Sequence, residues 1–110
     1  MAQLTLRNPC DFHTHLRGWN GAPDAQSLGT EAIMQTACSL EKFFSAVLVM
    51  PNLIPTHITN IEQVRHYKKT LQRYLPSDTI PLMTISLKPE TTPDTIRACV
   101  GEIVAVKYYP

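Results

Sequence analysis

The sequence lacks any apolar run long enough to cross a membrane and any strong excess of charge of one sign. Its 110 residues include 10 Lys and Arg against 9 Asp and Glu, which gives a formal net charge of +1. Because the positive and negative charges nearly cancel, the chain has no electrostatic basis for binding nucleic acid or an anionic membrane surface. We therefore expect neither kind of partner.

Cysteine is also scarce, with Cys10, Cys38 and Cys99 as its only occurrences. An odd number without closely spaced pairs is typical neither of a disulfide framework nor of a zinc knuckle. Free thiols of this kind fit a reducing compartment. The first residues, 1–7, lack the apolar stretch that a signal peptide needs. These absences together predict a cytoplasmic protein.

What the sequence does contain is an alternation of short apolar segments and helical patterns. The segment 46–50 is continuously apolar, which is typical of a strand buried on both faces. Similar patterns predict a short entry strand and three further strands, over residues 4–6, 11–15, 80–87 and 103–109.

Helix signals lie between these strands. Asn60 can cap one helix while Gln63 reaches back to it, and Thr92 can cap another that has Pro93 in its first position and Gly101 near its end. The segment 31–44 predicts a further helix. The first of these has an apolar stripe of Ile61, Val64, Tyr67, Leu71 and Leu75.

Strands that alternate with helices predict an α/β fold of right-handed βαβ units with parallel strands. The entry strand aside, four such strands are about half of a (β/α)8 TIM barrel, which typically needs about 250 residues. We therefore expect residues 1–110 to form an incomplete TIM-barrel domain, truncated after the fourth barrel strand. Unpaired sheet edges would make such a half-barrel prone to self-association.

The most specific chemical signal is a pair of histidines, His13 and His15, in the second predicted strand. Residues two apart on a strand face the same side, so both imidazoles can bind one metal ion. The same pattern also occurs where imidazoles only hydrogen-bond to neighbours. Asp11 could orient a ligand histidine, and the guanidinium of Arg17 is suited to holding a carboxylate.

Two further residues follow later strands. Lys107 shares a strand face with Ile103 and Ala105, so it can point inward, although a lysine at a strand end can equally reach into solvent. Asn52 follows Pro51 after a buried strand, where it can be a substrate-binding amide or an ordinary turn residue.

Three segments resemble, in order and spacing, the amidohydrolase superfamily and, within it, the dihydroorotases. They are Asp11-Phe12-His13-Thr14-His15-Leu16-Arg17, Val49-Met50-Pro51-Asn52-Leu53 and Val106-Lys107-Tyr108-Tyr109-Pro110. The Met50-Pro51-Asn52-Leu53 form and the segment Pro81-Leu82-Met83-Thr84 are most similar to the shorter, homodimeric bacterial type. The resemblance covers essentially the whole chain.

The resemblance implies a site with two zinc ions. His13 and His15 match ligands of one zinc, Lys107 matches a lysine that becomes carboxylated and bridges both zincs, and Arg17 and Asn52 match residues that hold the substrate carboxylate. The implied reaction interconverts dihydroorotate and N-carbamoyl-L-aspartate in pyrimidine synthesis. The implied general base and two further histidine ligands would lie beyond residue 110, so we expect no catalytic acid or base in this chain and no turnover by it alone.

Two alternatives remain open from the sequence. Hydantoinases and allantoinases share the first-strand motif, and a chain of this length could also be a non-catalytic half-barrel that binds a partner. We interpret His57 and His66 as surface residues.

Overall fold

The computed structural model describes residues 1–17, 43–53 and 56–110 of the chain. Within these ranges two helices lie between strands, which agrees with the α/β prediction. Of the helix predicted over residues 31–44, residues 31–42 lie outside the described residues. The strands are β1 (Cys10–Thr14), β2 (Ala46–Val49), β3 (Ile80–Leu82), β4 (Thr84–Leu87) and β5 (Ala105–Tyr108), and the helices are α1 (Ile61–Leu71) and α2 (Pro93–Ala98).

All pairings between these strands are parallel. One sheet has the order β1-β2-β3, and β4 pairs with β5 in a second sheet of two strands. Met50 N, just after β2, donates to Thr14 O at 2.9 Å, which brings the carboxyl ends of β1 and β2 to the same edge. Functional side chains that follow parallel strands meet at such an edge.

The predicted strand over residues 80–87 is two strands with a break at Met83. The side-chain hydroxyl of Thr84 donates to Val49 O, so a hydroxyl takes the place of a backbone donor and the ladder to β2 ends there. Beyond Met83 the chain pairs with β5 instead, and Val104 N donates to Met83 O at 3.0 Å. Periodicity could not reveal this change of partner, because both halves are apolar.

The predicted entry strand over residues 4–6 is wrong. Leu4 is 82% exposed and Leu6 is 67% exposed, and in the described part of the chain no strand pairs with them. Two apolar residues in alternation bury too little surface to hold a strand that has no partner.

Helix α1 begins as predicted. Asn60 is its N-cap, and the Asn60 side chain accepts from Gln63 N at 3.0 Å. The Gln63 side chain reaches one residue further back than expected, since its Oε1 accepts from Thr59 N at 2.8 Å. The apolar stripe of α1 then packs into the core, which contains Leu16, Val47, Val49, Leu53, Ile58, Val64, Tyr67, Leu71, Leu75, Met83, Ile85 and Cys99.

Helix α2 is short and also begins as predicted. Thr92 is its N-cap and accepts from Thr95 N at 3.2 Å, and Pro93 takes the first helical position. The helix ends at Ala98, and Gly101 turns the chain toward β5 with a φ of +86°, a conformation that glycine adopts without strain. Across residues 1–17, 43–53 and 56–110, no helix has the length and apolar character needed to span a membrane.

Candidate metal and substrate site

The two histidines of the first-strand motif meet at the carboxyl end of β1. His13 lies in the strand and His15 follows its last residue. Their Nε2 atoms are 3.2 Å apart, and the ring centroids are 5.1 Å apart. The structure thus brings the two imidazoles together, with their Nε2 atoms within hydrogen-bond distance of each other.

A β-bulge in β1 lies at the histidine pair. Asp11 pairs with Val47 while Thr14 pairs with Val49, so β1 has one more residue than β2 between these two positions. Bulges of this kind redirect side chains and are common beside active sites. Asp11 stabilises the bulge, because its carboxylate accepts from the backbone N–H of His13 at 2.9 Å. The expected role of Asp11 as an acceptor for a histidine ring is therefore replaced by a contact with the backbone.

The spacing of the two nitrogens fits a zinc ion. A tetrahedral zinc with nitrogen ligands at about 2.0–2.1 Å separates those nitrogens by about 3.3 Å. The Nε2 atoms of His13 and His15 lie at nearly this distance. The donor chemistry fits as well, since neutral imidazole is a common zinc ligand.

Electrostatics favour the neutral form of His15. Its pKa lies below the ordinary value chiefly because of burial, and the positive charges of Arg17 and Lys107 and of a protonated His13 lower it further. A neutral ring offers a lone pair to a metal ion.

Lys107 and Asn52 are in direct contact. Lys107 Nζ donates to Asn52 Oδ1 at 3.0 Å and lies 3.5 Å from Met50 Sδ. The ring of Tyr109 lies under the same amine, 5.8 Å from it. Lys107 is half-buried, whereas Val104 and Tyr108 on the opposite face are 59% and 71% exposed. On the face that carries Lys107, Ile103 is also half-buried, whereas Ala105 is exposed.

The loop after β2 positions Asn52. Pro51 O accepts from Leu53 N at 3.0 Å and from Ile58 N at 2.8 Å, which closes the loop on itself. Ile58 O then accepts from Ser86 N at 2.8 Å, which fastens the loop to β4. Asn52 itself is half-buried.

Arg17 follows the histidine pair in an unusual backbone conformation, with a φ of +56°. The left-handed region is uncommon for residues other than glycine. The hydroxyl of Tyr67, which is completely buried in α1, donates to Arg17 O at 2.9 Å. Sequence reasoning placed Tyr67 only in the apolar stripe of the helix, and no sequence signal links it to Arg17.

His57 is a second residue that sequence reasoning missed. It was expected at the surface, but it is half-buried, and its Nδ1 lies 3.0 Å from Oγ of Ser86. Burial, together with the charges of Lys88 and Lys107, lowers the pKa of His57. Ser86 is the residue of β4 that is in register with Lys107. His66, in contrast, is exposed as expected.

The described residues contain no cluster of three or more His, Cys, Asp or Glu side chains that could hold a metal ion. They contribute two pairs of candidate groups: the imidazoles of His13 and His15, and the amine of Lys107 with the amide of Asn52.

Known dihydroorotases are similar in sequence to this chain. A dihydroorotase of Vibrio atlanticus is 34% identical over 113 aligned positions covering 100% of this chain. A dihydroorotase of Teredinibacter turnerae is 37% identical and covers 97% of the chain. The chain is homologous to dihydroorotases over essentially its whole length. It spans 30% of the length of the first of these dihydroorotases and 28% of the second. No protein-family model matches the chain.

Solved dihydroorotase structures agree. The enzyme of Saccharomyces cerevisiae in complex with 5-fluoroorotic acid superimposes with a TM-score of 0.72 at 34% identity, covering 92% of this chain and 25% of that one. A Campylobacter jejuni dihydroorotase gives a TM-score of 0.75 at 29% identity, covering 94% of this chain and 27% of that one. These dihydroorotases are TIM-barrel amidohydrolases, so the predicted fold class is confirmed.

Proposed function

We propose that the protein is a cytoplasmic, zinc-dependent dihydroorotase that interconverts dihydroorotate and N-carbamoyl-L-aspartate, and that this chain supplies one side of its site. The observation that carries the proposal is the convergence of the two Nε2 atoms of His13 and His15 at 3.2 Å, in a chain whose relatives are named dihydroorotases. The hydrogen bond between Lys107 on β5 and Asn52 in the loop after β2 also supports the proposal.

In this proposal His13 and His15 would hold one of two zinc ions, and Lys107, once carboxylated, would supply oxygen ligands to both. Carboxylation joins the neutral amine of Lys107 to carbon dioxide, forms one N–C bond and releases one proton. The carbamate carries anionic oxygens, which are good zinc ligands. Zinc in such a site supplies polarisation of the amide carbonyl and activation of water.

Arg17 and Asn52 bind the substrate in this proposal. A guanidinium holds a carboxylate through two parallel hydrogen bonds, and the Asn52 amide adds a donor from the loop after β2. The carboxylic acid of 5-fluoroorotic acid, present in the yeast structure, is a group of the required kind. We assign no general base to residues 1–110.

Steady-state assays of the complete protein that carries this chain test the proposal. We expect zinc-dependent turnover of dihydroorotate and little or none of hydantoin or allantoin. Arg17→Gln should raise KM for dihydroorotate much more than it lowers kcat. Turnover of hydantoin or allantoin alone would move the protein to another branch of the cyclic amidohydrolases.

We further propose that the 110-residue chain, made alone, self-associates and is inactive, and that the complete protein is a homodimer. Within the described ranges β5 pairs on one edge only, and Val106 and Tyr108 leave apolar surface exposed. Exposed strand edges and apolar patches are association sites. Light scattering tests this: a monodisperse monomer would contradict self-association. A stable, inactive complex with an unrelated protein would instead favour a non-catalytic binding module.

A further inference from the structure

The hydrogen bond from Tyr67 to Arg17 joins the buried core to a candidate substrate-binding residue. The two residues lie 50 positions apart in the sequence, yet the Tyr67 hydroxyl is 2.9 Å from the Arg17 carbonyl oxygen. The ring of Tyr67 is 0% exposed, so packing fixes where the hydroxyl lies. Burial also raises the pKa of the Tyr67 phenol, so the group stays protonated and remains a donor.

The backbone of Arg17 needs such a support. Its φ of +56° is a conformation that residues with a Cβ adopt only when their surroundings hold them there. Leu16, the preceding residue, is 0% exposed and fixes the chain on one side. The phenol holds the carbonyl on the other side, so the direction in which the Arg17 side chain leaves the backbone is determined.

Arg17 lies two positions after His15, at the end of the segment that carries the histidine pair, and its side chain is exposed. A rotation of the Arg17 backbone would change the direction in which this long side chain leaves the chain.

We propose that Tyr67 is a positioning residue for substrate binding: its hydroxyl holds the left-handed backbone of Arg17 so that the guanidinium can bind the carboxylate of the substrate. This inference rests on the proposed function, because it takes Arg17 as the carboxylate-binding residue. The ring of Tyr67 belongs to the core, whereas the hydroxyl serves the site.

Kinetics of the complete protein test the role of the hydroxyl. Tyr67→Phe should raise KM for dihydroorotate about fivefold, the loss expected for one hydrogen bond, with kcat within about twofold of wild type. Tyr74→Phe is the matched control, since Tyr74 is half-buried beside the same core, and it should leave both constants unchanged. Placing 4-aminophenylalanine at position 67 restores a donor and should restore KM.

A double-mutant cycle separates positioning from general destabilisation. In an Arg17→Ala background, Tyr67→Phe should produce no further change in KM, because the group through which it acts is gone. The same fivefold rise in both backgrounds would overturn the inference, and so would a Tyr67→Phe KM equal to that of Tyr74→Phe.

A substrate-free measurement keeps the inference separate from the proposed function. Trypsin attacks the Arg17 carbonyl, which is the group that Tyr67 holds, so Tyr67→Phe should speed cleavage after Arg17 about fivefold relative to cleavage after the exposed Arg73. Unchanged cleavage would overturn the inference even in an active enzyme. Absence of dihydroorotate turnover by the wild type would instead overturn the proposed function. Faster cleavage of Tyr67→Phe after Arg17 would even then support the role of the Tyr67 hydroxyl in holding the Arg17 backbone.

Discussion

Lys107 and Asn52, 55 residues apart in the sequence, are joined by a 3.0 Å hydrogen bond from Nζ to Oδ1. Asn52 comes from the loop after β2, and Lys107 comes from β5, which pairs with β4. The bond therefore links the two sheets at their functional edge. It also joins the residue proposed to bridge the zinc ions to a residue proposed to bind substrate.

Asn52→Asp should impair zinc loading. A carboxylate in place of Oδ1 would form an ion pair with the Lys107 ammonium, and an ammonium has no lone pair with which to attack carbon dioxide. We expect a weaker carbamate signal in carbon-13 NMR with labelled bicarbonate, and less zinc by elemental analysis. Asn60→Asp is the control, because Asp caps a helix as well as Asn does. Equal carbamate and zinc in the two variants would contradict this prediction.

His13→Ala and His15→Ala should each weaken zinc binding at least about 100-fold, since even partners that only orient a ligand contribute about 10–100-fold. His66→Ala, on the exposed face of α1, should leave zinc binding as in wild type. Competition with a chromophoric chelator measures all three affinities. If His13→Ala or His15→Ala binds zinc as tightly as the wild type does, the substituted histidine is not a zinc ligand.

His57 should titrate below the ordinary histidine value of 6.5, because burial and the charges of Lys88 and Lys107 disfavour its imidazolium. The unfolded chain then binds the proton more readily than the folded protein does. The neutral His57 ring therefore contributes to the free energy of unfolding. This contribution is complete above about pH 6.5 and is lost as the pH falls through the lowered pKa of His57. NMR titration measures that pKa, and urea unfolding should show less acid destabilisation in His57→Gln than in wild type. A His57 pKa at or above 6.5 would contradict the prediction.

The two described cysteines should differ in reactivity. Cys10 is exposed, whereas Cys99 is buried in the core, where burial raises the pKa of its thiol. The thiolate is the reactive form, so iodoacetamide should label Cys10 well before Cys99 in the folded protein. Peptide mass spectrometry follows both sites, and labelling in urea provides the control. Equal rates in the folded protein would show that Cys99 is not shielded.

The sequence predicts those parts of the fold that depend on local chemistry. Asn60 and Thr92 cap their helices because a side-chain oxygen can reach a free backbone N–H within the same turn. The strands around Val47 and Ile85 are predicted by their apolar character, and both residues are completely buried. Such signals are contained in a few neighbouring residues.

Features that depend on distant contacts could not be predicted. The break at Met83 coincides with a contact between Thr84 and Val49, and His57 has Ser86 beside it. The contact between Tyr67 and Arg17 likewise needs both elements in place. The candidate site residues themselves were found through the family's motifs, since a lone Lys107 or Asn52 has ordinary structural interpretations.

The most direct test of the account is a crystal structure of the complete zinc-loaded protein with anomalous data at the zinc edge. We expect a zinc peak about 2.0–2.1 Å from Nε2 of both His13 and His15, and carbamate density on Lys107 Nζ that reaches the same ion. A zinc ion bound elsewhere, or a Lys107 amine turned away from both imidazoles, would contradict it.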